Sequence, residues 1–148
     1  MNSISEKSTS IISYEFKELN TASPSLEDIS NLINGWLLSK SNYLAGKKSE
    51  INLSKIVSKG LIDRTIQERQ NDINKGIYKE INSQIRKIDL ESQTSSRIVV
   101  LVELNYQEKI LKNSEEFVNE TSLNPLKVKY ILGFSNKSWK LVDFVSGL

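Results

Sequence analysis

The fold is decided by residues 62–90, whose sequence is IDRTIQERQNDINKGIYKEINSQIRKIDL. As far as Lys75 the isoleucines recur at intervals of four and seven residues, a spacing that is typical of one face of a helix. Gly76 marks the end of this helix, because glycine readily adopts the left-handed conformation that closes helices. After Gly76 the apolar residues alternate with polar ones, which predicts a strand. The segment therefore indicates an α+β fold in which helices precede a sheet.

The predicted strand after Gly76 changes phase part-way along. Ile81 and Ile85 alternate with polar residues, and Ile88 and Leu90 continue the pattern out of phase with them. A continuous strand would turn one of these two pairs towards water. We therefore predict a β-bulge between Ile85 and Ile88.

Three more strands follow. They are predicted, in chain order, over residues 98–104, 126–134 and 139–145. Residues 98–102 are apolar on both faces, which indicates a central, covered strand that continues past Tyr106. The turn at 135–138 joins the last two strands, and the polar and acidic residues 112–125 are predicted to form one long connection.

The first helix has the clearest signals. Ser25 and Asp28 form a capping-box-like start, and the helix is expected to run to about Tyr43. One apolar stripe follows from the spacing of Ile29, Leu32, Ile33, Trp36 and Leu37. Trp36 lies in the middle of this stripe, so we interpret it first as a core residue.

A short second helix is predicted around Leu53, Ile56 and Val57, ending at Gly60. With the first helix and the helix over 62–75, this predicts three N-terminal helices packed on one face of a curved four-stranded antiparallel sheet.

Residues 1–23 are rich in serine, threonine and asparagine, which indicates a flexible tail or linker before a domain over 24–148. The alternative is an added edge strand, because Ile12, Tyr14 and Phe16 alternate with other residues.

The composition excludes several classes of protein. The chain has 148 residues, of which 38% are hydrophobic and 26% charged, as expected for one globular domain. Its net charge of +2 is too small to indicate nucleic-acid binding. It has no cysteine and no histidine, so disulfides, thiolate nucleophiles, histidine triads and the usual zinc sites are excluded. We expect no metal, no cofactor and no catalytic residue.

Two further patterns concern membranes and charge. The longest uncharged stretch of the helical region, 29–39, is too short to span a membrane, so we expect neither a transmembrane segment nor a signal peptide in this chain. Residues 40–64 carry six basic and two acidic side chains. A solvated helix surface is the first interpretation of this region, and a patch that binds anions or acidic peptides is the alternative.

Two patterns near the ends of the chain resemble a known family. The first is Leu32-x3-Trp36-Leu37-x2-Lys40, followed by Leu44-Ala45-Gly46. The second is Val128-x-Tyr130-x-Leu132, followed after a turn by Trp139-Lys140-Leu141. Over about residues 26–146 the chain resembles the IMS-type domain that ends cyanobacterial ZipN-like cell-division proteins and related plastid-division proteins.

The resemblance implies a cone-shaped fold like that of nuclear transport factor two, with a pocket between helices and sheet. It implies a non-enzymatic domain that binds the tail of a membrane partner in cell division. The chain would lie on the periplasmic side of the inner membrane if it is cut from an anchored protein, and in the cytoplasm if it is free-standing. Partner-binding residues are then expected to be Trp36, Lys40, Val128, Tyr130 and Leu132, with Lys40 placed to meet a terminal carboxylate.

Two alternatives remain open. A small-molecule-binding or enzymatic protein of the same cone fold would use a carboxylate inside the cone, and Asp143 is in phase with Trp139 and Leu141. A structural module would dimerise through its sheet, forming a weak homodimer.

Overall fold

The computed structural model describes residues 18–147, in which two helices precede four strands. The elements are α1 (Leu26–Leu44), α2 (Lys59–Lys75), β1 (Ile77–Gln93), β2 (Arg97–Lys112), β3 (Phe117–Ser135) and β4 (Ser138–Ser146). The strands form one antiparallel sheet in chain order, β1-β2-β3-β4. The predicted α+β class and four-stranded sheet are confirmed. Neither helix is long and apolar enough to cross a membrane.

Helix α1 begins with the predicted capping box. The Ser25 hydroxyl accepts a hydrogen bond from the Asp28 N–H at 3.0 Å, and the Asp28 carboxylate accepts one from the Ser25 N–H at 3.2 Å. Both bonds satisfy backbone donors that the helix leaves free at its N-terminus. The apolar stripe of α1, with Trp36 at its centre, is buried against the sheet.

The prediction of a helix at 53–57 is wrong, so two helices and not three precede the sheet in the described residues. Residues 53–57 form one turn, in which the N–H groups of Ile56 and Val57 bond to the Leu53 carbonyl. The chain then pairs with β4: the Leu141 N–H donates to the Ile56 carbonyl, and the Ser58 N–H donates to the Leu141 carbonyl. A single turn buries the apolar side chains, and the strand edge satisfies the backbone groups that a helix would have satisfied.

Strand β1 contains the predicted bulge. Ile85 lies opposite Leu104 and Ile88 lies opposite Val102, with a register shift between Ile85 and Lys87. Because of this shift, both isoleucines face the helices and pack against the core.

The predicted long connection over 112–125 is also wrong. A short turn ends β2, and β3 begins at Phe117. All of 117–125 is exposed, so no burial pattern in the sequence marks this part of the strand. Pro125 falls in a register shift between β2 and β3, and a bulge is one of the few places where a strand accepts proline.

Strand β4 has an irregularity that reverses the expected phase of its side chains. Ile131 pairs with Asp143 and Leu132 pairs with Leu141, so Val142 is an extra residue. Phe144 is consequently the partner of Tyr130 and faces the core. The expected alignment of Asp143 with Trp139 and Leu141 is therefore wrong.

The core lies between the two helices and one face of the sheet. The central strand β2 is buried at 98–100 and at Val102, whereas Leu101 is 37% exposed on the other face, so the prediction of cover on both faces holds only for part of the strand. Of the predicted tail, residues 12–16, and with them the proposed edge strand, lie outside the described residues. Its last part contacts the sheet, since the Leu19 carbonyl accepts a hydrogen bond from the Trp139 N–H at 2.7 Å.

Candidate functional site

An aromatic group with two cations lies where α1 and α2 meet β4. The Phe144 ring centroid is 6.3 Å from that of Trp36 and 6.0 Å from that of Tyr130. The Lys40 ammonium lies 4.9 Å from the Phe144 centroid and 5.2 Å from the Trp36 centroid. The Arg64 guanidinium carbon is 5.6 Å from the Phe144 centroid. We refer to these five residues as the aromatic–cation cluster.

Regular secondary structure holds the cluster together. Trp36 and Lys40 are four residues apart in α1, so they share one face of the helix. Tyr130 and Phe144 are cross-strand partners in β3 and β4. Arg64 reaches the same ring from α2, so the spacing of the two cations depends on how the two helices pack.

Lys40 is a partly buried cation, and burial lowers the pKa of its ammonium. The neighbouring carboxylates of Glu68 and Glu108 oppose this shift, but each carboxylate is already bonded elsewhere. Glu68 accepts a hydrogen bond from Lys79 at 2.7 Å, and Glu108 accepts one from the Tyr106 hydroxyl at 2.7 Å. Within 18–147 Lys40 has no hydrogen bond or ion pair of its own.

A polar network of five residues adjoins the cluster. It consists of Glu68, Asp72, Lys79, Tyr106 and Glu108. Lys79 bonds Glu68 and lies 3.3 Å from the buried Asp72 Oδ2, an ionic contact without hydrogen-bond alignment. Burial alone would lower the pKa of Lys79, but the two acids outweigh burial and raise it.

The tyrosine hydroxyls remain protonated at neutral pH. Burial raises the pKa of both Tyr106 and Tyr130, and the hydrogen bond to Glu108 raises that of Tyr106 further. They can donate hydrogen bonds but supply no charge. The network holds three carboxylates and one lysine, so it keeps a net negative charge that acts on Lys40. Each of these carboxylates has a contact partner other than Lys40, so the ammonium of Lys40 can still contact an anion directly.

Of the five predicted partner-binding residues, three belong to the aromatic–cation cluster and two belong to the core. Trp36, Lys40 and Tyr130 belong to the cluster, although Trp36 is only 1% exposed. Val128 and Leu132 are on the same face of β3 as Tyr130 and are buried in the core.

Sequence reasoning missed two members of the cluster, Arg64 and Phe144. Arg64 belongs to the basic region 40–64, which was the available signal. No signal in the sequence marked Phe144, because the extra residue Val142 reverses the phase of the side chains in β4.

The structure does not place Asp143 in the core, where the catalytic alternative needs a carboxylate. Asp143 is about half exposed and lies 3.5 Å from Arg64 in a surface ion pair. Its Oδ1 also accepts the Phe144 N–H at 2.9 Å. Among the described residues no group of three or more side chains is arranged to hold a metal ion.

The family model described as "ARC6-like, IMS domain" matches residues 30–142, which is most of the chain. The chain belongs to this family. The crystal structure of the intermembrane space region of chloroplast protein ARC6 is similar in fold to this IMS domain, with a TM-score of 0.66 and 12% sequence identity. The similarity covers 84% of this chain and 97% of that chain. No curated protein sequence matches the chain.

The family match confirms the resemblance inferred from the sequence patterns. It runs from α1 to the bulge of β4 and includes four members of the aromatic–cation cluster. Phe144 lies two residues beyond the end of the match. The ring that lies beside both cations of this IMS domain is therefore just outside the residues that the family model matches.

Proposed function

We propose that this IMS domain is a non-catalytic interaction domain of a division apparatus and that it binds the tail of a membrane partner. The observation that carries the proposal is the Lys40 ammonium, which is partly buried beside two aromatic rings and has no hydrogen bond or ion pair within residues 18–147. A terminal carboxylate would provide the missing anion through a charge-assisted hydrogen bond.

The surroundings of Lys40 favour a peptide over a free ion. The Trp36 and Phe144 rings exclude water from one side of the ammonium, which strengthens its attraction for a carboxylate. Aromatic side chains also supply much of the contact energy in peptide sites. Phe144 is available at the rim, whereas deeper contact with Trp36, Tyr130, Val128 and Leu132 requires α1 to move away from the sheet. A cone-like pocket of this kind is part of the proposal.

The proposed location follows from the family. The similar crystal structure comes from the intermembrane space region of a chloroplast protein. We place this domain in the corresponding compartment, on the periplasmic side of an inner membrane in a cyanobacterium, as part of a membrane-anchored protein. A free-standing chain would instead act in the cytoplasm.

The binding proposal predicts that Lys40→Met weakens tail binding at least about tenfold, since a charge-assisted bond is worth roughly 1.5–3 kcal/mol. Methionine keeps the length of the side chain and its apolar contact with the rings. The measurement is calorimetric titration of the full chain with periplasmic tails of division-related membrane proteins from the same genome, each with a free and an amidated C-terminus.

Lys47→Met is the matched control, because Lys47 is exposed just beyond the end of α1. We expect the control to bind like the unmodified chain and the amidated tails to bind poorly to every variant. Equal affinity for free and amidated tails would contradict the proposal, and so would the absence of binding by every tail.

The pH dependence of binding is a second prediction. Only the charged ammonium attracts a carboxylate, and burial lowers the pKa of Lys40 below the value of about 10.4 that is usual for lysine. Affinity is therefore expected to fall as the pH rises through this lowered pKa, before exposed lysines lose their charge. Titrations between pH 7 and 10 test this, and the Lys40→Met variant is expected to show a flat profile. An unmodified chain with an equally flat profile would exclude Lys40 as the carboxylate receptor.

Self-association through the sheet is the second candidate function, and one observation favours it. The β1 edge is partly covered, because the carbonyls of Ile77 and Ile81 accept hydrogen bonds from the side chains of Arg69 and Ser41. The β3 edge is the one that favours pairing. The β3 edge over 117–125 lies beyond the end of β4, and its side chains are exposed. Exposed strand edges of this kind pair with other chains. A mass that doubles with concentration, together with no binding by any tail, would favour this function.

A further inference from the structure

The two cations of the aromatic–cation cluster converge on one ring. We infer that Lys40 and Arg64 together select partners whose chain ends in two neighbouring carboxylates: the terminal carboxylate and the side chain of a final aspartate or glutamate. This inference rests on the proposed tail-binding function and adds the chemical class of the tail.

Both charges lie beside the same aromatic ring. The Lys40 ammonium and the Arg64 guanidinium carbon lie 4.9 Å and 5.6 Å from the same Phe144 centroid. The positive charge of Arg64 also contributes to the lowered pKa of Lys40, as expected of cations that interact directly. A ligand with two negative charges relieves this repulsion, and one with a single charge relieves it only in part.

Arg64 forms only a weak ion pair, with Asp143. The 3.5 Å distance from its Nη1 to Asp143 Oδ1 is long for a charge-assisted hydrogen bond, and the two side chains are 60% and 48% exposed. Exposed pairs of this kind contribute little to stability. Asp143 retains the Phe144 N–H as a partner when Arg64 turns to another carboxylate.

The nearby acids Glu68 and Glu108 partly offset the charge of Lys40 without a direct contact to it. Glu68 and Asp72 are paired with Lys79, and Glu108 accepts from Tyr106. A second carboxylate from the ligand would therefore replace Asp143 as the partner of Arg64. The planar fork of Arg64 suits a side-chain carboxylate, and the more buried Lys40 suits the chain terminus.

The test uses the full chain and three synthetic decapeptides. They share the first nine residues, Gly-Ser-Gly-Ser-Gly-Leu-Phe-Leu-Ala, and differ only at the tenth. The tenth residue is aspartate, asparagine, or aspartate whose terminal carboxyl group is amidated. We expect the aspartate peptide to bind at least about tenfold more tightly than the asparagine peptide. In Arg64→Gln this ratio is expected to fall to about twofold or less, with the affinity for the asparagine peptide unchanged. Arg86→Gln, an exposed arginine on β1, is the matched control and is expected to keep the ratio.

The outcomes separate this inference from the proposed function. If the aspartate and asparagine peptides bind equally and both require Lys40, tail binding stands and the selection of an acidic end is overturned. If Arg64→Gln weakens all three peptides by the same factor, Arg64 attracts without selecting, and the inference is again overturned. If none of these peptides or natural tails binds, both proposals fail. Thermal melting of Arg64→Gln, expected to match the unmodified chain because the side chain is exposed, excludes unfolding as the cause.

Discussion

Replacing Trp36 with alanine is expected to lower the free energy of unfolding by about 3–5 kcal/mol, the usual cost of emptying a buried aromatic site. Trp36 is 1% exposed at the centre of the α1 stripe, where it contacts the sheet through Phe144. The rings of the core cannot collapse fully into the space that an indole leaves, so a cavity adds to the lost burial. The measurement is urea unfolding followed by circular dichroism, which does not depend on the removed chromophore.

Leu38→Ala is the matched control in the same helix. Leu38 is an exposed apolar residue two positions along α1, and its replacement also introduces alanine, so the helix propensity of the new residue is the same. We expect this variant to lose less than about 1 kcal/mol. Equal losses for the two variants would show that Trp36 is not a core residue.

Replacing Lys79 with methionine is the second large effect, with an expected loss of about 3–5 kcal/mol, the range for removing one partner of a buried ion pair. Lys79 is the cation for both Glu68 and Asp72, and the Asp72 side chain is only 4% exposed. Within the part of the chain that the structure describes, its Oδ2 has no hydrogen bond, so without Lys79 this buried carboxylate keeps no cation in contact with it. Urea unfolding at pH 7 provides the measurement.

Two comparisons make this prediction specific. Lys59→Met removes the exposed ion pair with Asp63 in α2 and is expected to cost less than about 0.5 kcal/mol. The double variant Asp72→Leu, Lys79→Met removes both buried charges and is expected to recover much of the loss, because a buried pair replaced by apolar residues is often neutral. A Lys79→Met variant as stable as the unmodified chain would contradict the pairing.

The sign of the pH effect at Lys79 follows from its raised pKa. The group is more readily protonated in the folded chain than in the unfolded one, so its contribution is complete below the unfolded pKa of about 10.4. The contribution is lost as the pH rises through the folded value. The unmodified chain is therefore expected to lose its advantage over Lys79→Met in strongly alkaline solution.

Local patterns were sufficient where a residue's neighbours in the chain decide its environment. The capping box at Ser25, the apolar stripe around Trp36 and the end of α2 at Gly76 depend on residues within a few positions, and each prediction is confirmed. The bulge at Ile85 also follows from local phase, because the pairs Ile81–Ile85 and Ile88–Leu90 can share one face only with an extra residue between them.

Contacts between distant segments decided the rest. The apolar residues around Ile56 have a helical spacing, yet the backbone of this segment forms hydrogen bonds with the edge of β4. No pattern in the nearby sequence predicts this pairing. The exposed half of β3 has no burial pattern to read, and the extra residue Val142 places Phe144 where Asp143 was expected. A sequence records which side chains prefer burial, but register across strands is set by the pairing of whole segments. The aromatic–cation cluster depends on that register: Trp36 and Lys40 were visible in one helix, whereas their meeting with Phe144 and Arg64 required the folded sheet.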